Sequence, residues 1–145
     1  MNTFQILNNQ EEICYALKEF LKCFPGLPER VKSLEKYTVK LSESAYVAVM
    51  KEDGKNVGFC CYYANDKETL TGYISLIGIK NAYQRSGKGK KLLDYISEKC
   101  RESGMTKLKL EVDADNEKAI AFYKKNGFQT IGKAREESYY MEIDL

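Results

Sequence analysis

Apolar and polar positions change period several times along the chain. Thr3 to Leu7 reads as a short strand. Asn8 or Asn9 is placed to cap a helix whose first turn holds Glu11 and Glu12. Apolar residues at Ile13, Leu17, Phe20, Leu21 and Phe24 then mark one helical face. Pro25-Gly26 stops that helix, and Pro28 opens a second carrying Val31, Leu34 and Leu41. From Ala45 to Met50 the pattern becomes β-rich, and Asp53-Gly54 is a hairpin turn into a strand over about Asn56 to Tyr63. A third strand spans Gly72 to Ile79. A helix over about Gly87 to Ser103 turns Leu92, Leu93, Ile96 and Cys100 inward, and Gly104 ends it. Lys107 to Val112 is a strand, Asn116 to Asn126 a helix, and Phe128 to Ile131 and Ser138 to Ile143 are the last strands. The order β-α-α-β-β-β-α-β-α-β-β predicts a mixed α/β (α+β) fold, with an antiparallel meander before the α-β-α portion. No repeat or linker divides residues 1–145, so one domain is expected.

The formal charge is +2 with both signs interspersed, which gives no electrostatic footprint for nucleic acid. No stretch approaches the ~20 apolar residues of a membrane span, and the N-terminus lacks a signal-peptide pattern. The five cysteines, Cys14, Cys23, Cys60, Cys61 and Cys100, form no C-x-x-C pair and read as reduced thiols of a cytoplasmic protein. Cys60 and Cys61 fall on opposite faces of their strand, which makes them poor joint ligands or disulfide partners. The chain contains no histidine. That removes Ser-His and Cys-His nucleophile pairs and the usual Cys/His zinc sites. The acidic run Asp113, Asp115, Glu117 lacks the glycine and glutamate of an EF-hand, where Lys118 and Lys124 stand instead. No metal is expected.

After the third strand comes Gln84-Arg85-Ser86-Gly87-Lys88-Gly89, at a helix start. Glycines there let backbone N–H groups approach a ligand, and the free N–H groups of a first helical turn make an anion site. A Walker A loop fails because Lys91 follows Gly89-Lys90 and Gln84 replaces the first glycine. A dinucleotide fingerprint fails because Leu92 stands where Gly or Ala is needed. A glycine-containing helix start with solvated lysines and no ligand is the plain alternative.

A second signal lies between Leu110 and Phe128. Asn116 and Tyr123 are seven apart, so on a helix they share one face within ~20° and could address one ligand together. Taken singly, Asn116 could just cap the helix, and Tyr123 could be a core aromatic with a wet tip.

Gln84 through Gly89 resembles the Gln/Arg-x-x-Gly-x-Gly/Ala signature of the GNAT superfamily of acetyl-CoA-dependent N-acetyltransferases. Asn116 to Phe128 resembles that family's second motif, Asn-x-x-Ala-x-x-Phe-Tyr-x-Lys-x-Gly-Phe. The resemblance covers roughly residues 45 to 131. It implies that Gln84, Arg85, Ser86, Gly87, Lys88 and Gly89 hold the pyrophosphate of coenzyme A, and that the strand around Ile77 and Ile79 pairs with the pantetheine arm. It also implies that Asn116 holds the pantetheine and Tyr123 protonates the departing thiolate. With unperturbed values, a phenol near ~10 giving its proton to a thiolate near ~8.5 goes uphill by ~2 kcal/mol.

The chain departs from the family where many members carry a glutamate base. That position is Tyr73. Either Glu68, Asp66 or Glu111 acts as base, or the amine is already substantially neutral. A lysine-like amine costs ~4.6 kcal/mol to deprotonate at pH 7 and an α-amine near ~8 only ~1.4, which favours an amino sugar or α-amine. Tyrosines 37, 46, 62, 63, 73, 139 and 140 are candidates for an acceptor pocket. The expected activity is direct acetyl transfer from acetyl-CoA to a small amine. A protein or peptide acceptor, or a non-catalytic acyl-CoA-binding regulatory module, is the alternative. The edge strand near the C-terminus could mediate a homodimer, by analogy with other members.

Overall fold

Local capping sets the first helices. The Asn9 side chain accepts the N–H of Glu12 at 2.9 Å, and α1 runs Gln10–Glu19 behind it. The expected second helix is two. Leu27–Arg30 forms a single turn, α2, and the chain then extends through Val31. Ser33 caps a new helix, α3, Leu34–Ser44, by accepting the N–H of Lys36. A β-branched residue followed by a hydroxyl that prefers capping to helix interior explains the break.

The computed structural model describes residues 2–145. Its strands are β1 (Asn2–Leu7), β2 (Tyr46–Glu52), β3 (Lys55–Tyr63), β4 (Thr71–Ile79), β5 (Lys107–Asp113), β6 (Gln129–Arg135) and β7 (Ser138–Asp144). Two further helices, α4 (Lys88–Glu102) and α5 (Glu117–Lys125), follow β4 and β5. One sheet takes the order β1-β2-β3-β4-β5-β7-β6. All its neighbours are antiparallel except β4 and β5, which the α4 crossover makes parallel. The mixed, mostly antiparallel architecture read from the sequence is the one observed.

The two sheet faces carry separate cores. On one, Leu92, Leu93, Ile96 and Cys100 of α4 pack against Cys60, Ile74, Leu108, Leu110 and Met141, and α5 adds Ile120 and Phe122. On the other, Ile13, Leu17 and Phe20 of the first helical region, with Leu41, cover Val47, Val49, Phe59, Cys61 and Leu76. Cys60 and Cys61 thus point to opposite faces, and burial pushes both thiols up. The core under α1–α3 draws its strand residues from β1–β4. Beyond it the same face is polar, with the Lys109 Nζ 4.0 Å from the centre of the Tyr140 ring.

One irregularity interrupts β4. The β3–β4 register pairs Tyr62 with Ile74 and Cys61 with Leu76, so Ser75 is an extra residue in β4. The parallel β4–β5 ladder reaches Ile74↔Leu110 and stops there. Past the bulge, β4 and β5 separate.

Candidate functional site

The separation leaves a cleft of about 480 Å³. Its walls are the second halves of β4 (Ser75, Leu76, Ile77) and β5 (Glu111, Val112, Asp113). The stretch from Cys23 through Arg30 borders it on the α1–α3 face, and Asn116, Ala119 and Tyr123 border it from the α5 side. Backbone groups that would bond across a continuous β4–β5 ladder have no strand partner along this gap. A separate hollow of about 370 Å³ lies by β1 and α1 and includes no residue of β4, β5 or α5.

The sequence-derived residues divide: none of Gln84 through Gly89 borders this cleft. Ile77, Asn116 and Tyr123 line it. Asn116 is the N-cap of α5 rather than a helical residue, and its Oδ1 accepts the N–H of Ala119 at 3.1 Å. Capping and cleft lining are therefore compatible, because the cap uses the oxygen and leaves the amide N–H₂ as donor. Tyr123 packs edge-on against Phe122 and Phe128, and burial pushes its phenol up to about 12. Ile79 does not border the cleft. Its side chain is buried, and its carbonyl accepts the Gln84 side-chain amide at 3.0 Å.

That bond ties the glycine-containing turn to the end of β4. Within the turn, Arg85 (φ 67°) and Gly87 (φ 78°) are both left-handed. Backbone of this kind at a helix start turns successive N–H groups into one concavity suited to an anion. Gly87 is the cap of α4 and needs its positive φ. Gly89 has another reason: a Cβ there would lie 3.2 Å from Phe122, so its smallness sets the approach of α4 to α5. The Lys88 ammonium is directed to Ser86 Oγ (3.1 Å) and Glu52 (3.2 Å), and Lys90 pairs with Asp94.

On the opposite side of the cleft, Glu111 is the one base candidate of the three that lines it. Asp66 accepts the N–H groups of Glu68 and Thr69 and the Thr69 hydroxyl in an exposed turn. Glu111 Oε2 accepts the Ser138 hydroxyl at 2.6 Å and the Arg135 Nε–H at 2.7 Å. Burial pushes this carboxyl up, but the Ser138 and Arg135 bonds together outweigh it and hold it below the usual range. Tyr73 lies alongside. Burial first and the Glu111 charge second push its phenol up. Of the other candidate tyrosines, Tyr46 and Tyr62 stack on each other, Tyr139 packs toward the α4-side core, Tyr63 packs with the α1–α3 core, and Tyr37 packs there too while hydrogen-bonding Ser75 of the cleft wall. Tyr140 sits opposite Glu111 in the β5–β7 register. Arg30, Arg135 and Ser138 were not readable as site residues, since only sheet register and the α1–α2 connection bring them to β5.

The profile of the acetyltransferase (GNAT) family matches residues 11–128. The chain belongs to this family. It is an acetyl-CoA-dependent acyltransferase. N-alpha-acetyltransferase 50 of Danio rerio is 33% identical over 86 residues, which span 59% of this chain and 50% of that protein. Among solved structures, the ribosomal-protein-S18-alanine N-acetyltransferase of Escherichia coli superposes with a TM-score of 0.79 at 21% identity, over 99% of this chain and 94% of the other. A GNAT family acetyltransferase from Elizabethkingia anophelis with acetyl-CoA bound gives a TM-score of 0.77 at 18% identity, covering 99% and 98%. Among the described residues no helix is long and apolar enough to cross a membrane, and no group of three potential ligand side chains is placed to hold a metal ion.

Proposed function

We propose that this GNAT acetyltransferase moves the acetyl group of acetyl-CoA directly to an amine of a small molecule. The observation that carries the reading is the gap after Ile74 and Leu110, bordered by Tyr123 on one side and by Glu111 on the other. The turn from Gln84 to Gly89 receives the pyrophosphate through backbone N–H groups, with Arg85 adding charge. The Ser75–Ile77 edge of β4 and the Asn116 amide hold the pantetheine arm, as an added strand would be held.

The amine nitrogen attacks the thioester carbonyl carbon, the C–S bond breaks, and the sulfur leaves as thiolate. Tyr123 donates its phenolic hydrogen to that sulfur. With the phenol at about 12, complete transfer to a thiol of ~8.5 is uphill by roughly 5 kcal/mol. A thiolate formed in the same cleft is itself desolvated, which narrows the gap. The phenol therefore acts first as a hydrogen-bond donor to the developing charge.

The nitrogen's proton leaves to Glu111, directly or through a water, or the amine enters already neutral. A carboxylate held low is a weak base but a reliable anion, and it keeps a cationic amine in place before deprotonation. In a pH-rate profile, a limb that follows the acceptor's own pKa and does not move in Glu111→Gln assigns deprotonation to solvent. A limb lost in that variant assigns it to Glu111.

The cleft of about 480 Å³ is shared by the pantetheine arm and the acceptor, and the room this leaves favours a small amine. The Danio rerio relative supports a peptide α-amine as the second reading. The five free thiols support a cytoplasmic setting. Thiol release from acetyl-CoA with a panel of small amines and peptides tests the proposal. Release that no amine increases would refute it.

A further inference from the structure

The acceptor end of the cleft brings opposite charges together. Glu111 from β5 is one, already held by Ser138 and by the Arg135 Nε–H. Arg30, at the end of α2, is another. It borders the same cleft, and its charge acts on Glu111 and Tyr73. Among the described residues the Arg30 guanidinium has no carboxylate partner, and its Nε makes only a long contact, 3.4 Å, to the Gly26 carbonyl. Its remaining donors form a planar fork of the kind that meets a carboxylate in two parallel hydrogen bonds. Arg135 differs, because one edge of its fork is engaged by Glu111.

We infer that the acceptor is a small amino acid, with its ammonium held at Glu111 and its own carboxylate bound by Arg30 across the mouth of the cleft. This deepens, and rests on, the acetyl-transfer reading above. The arrangement has a chemical advantage besides binding. A free amino acid's carboxylate holds the neighbouring ammonium protonated, and a guanidinium placed on that carboxylate removes much of the effect. A carboxamide or ester of the same amino acid presents no charge to Arg30 and leaves its fork without an anionic partner. An amino sugar presents none either.

The test uses matched pairs, each free amino acid of a broad panel against its own carboxamide, with thiol release from acetyl-CoA as readout. Amino sugars and short peptides are run beside them. The acid of at least one pair should exceed its amide by about tenfold or more in kcat/KM, the size of effect expected when a charged hydrogen bond is lost. In Arg30→Gln that ratio should fall toward unity through KM, and Arg30→Lys should restore part of it. Direct acetyl-CoA titration of both variants establishes that they are folded. Amides used as well as acids, or an Arg30→Gln variant that keeps the wild-type ratio, overturns the inference. Turnover confined to amino sugars or peptides overturns it too, while leaving acetyl transfer intact. Tight acetyl-CoA binding with no amine-dependent release at all overturns both.

Discussion

With its phenol pushed up to about 12, Tyr123 keeps its hydrogen across the whole range in which an amine loses one. Tyr123→Phe should lower kcat by ~10²- to 10⁴-fold, as for a positioned proton donor, and leave the acetyl-CoA Kd within a few-fold. The wild-type enzyme should show no alkaline fall in kcat from this group below pH ~10. An unchanged kcat in the variant would remove Tyr123 from the chemistry. Glu111 makes a prediction of the opposite kind. Its folded-state pKa is depressed, so its bonds to Ser138 and Arg135 add stability that is fully present above the unfolded value of 4.5. That contribution is lost as pH falls through the lower folded value. Melting temperatures of Glu111→Gln should therefore fall less steeply than wild type in acid below pH 4.5, and parallel curves would count against the clamp.

Helix and strand identities were largely written in the chain because capping, glycine stops and apolar periods all act locally. Asn9, Asn116 and the Asp53-Gly54 hairpin behave as their chemistry dictates. Two features escaped. The break at Val31–Ser33 hides inside a plausible apolar helical face. The bulge at Ser75 left only an ambiguous trace, apolar residues at 74 and 76 and then at 77 and 79, a pattern that a strand buried on both faces also gives. The partners of Glu111 had none, for Ser138 and Arg135 reach it across β5, β7 and β6, and register is not a local property. The turn before α4 was legible in its glycines but not in their division of labour. Gly87→Ala should lower stability by about 1 kcal/mol through the left-handed cap and weaken acetyl-CoA binding with it. Urea unfolding and cofactor titration measure the two. A variant with unaltered affinity would mean that the turn does not depend on its cap geometry.

Across the molecule, the sheet is covered by α4 and α5 on one face and by α1–α3 over only part of the other. The gap between β4 and β5 is therefore bordered by Asn116, Ala119 and Tyr123 on one side, and by Glu111, Arg30 and the polar β5–β7 surface on the other. Ser75 is the hinge of this plan. Either side of it the alternation is in phase, with Ile74 against the α4-side core and Leu76 against the α1–α3 core. Removing Ser75 would leave every buried side chain on its present face and let β4 run straight beside β5. Denaturant titration should find that deletion variant at least as stable as the parent, and assays should find it inert; a marked loss of stability would show that the bulge supports the core. This sheet would then be an ordinary barrier, and a single inserted residue is what turns it into a doorway.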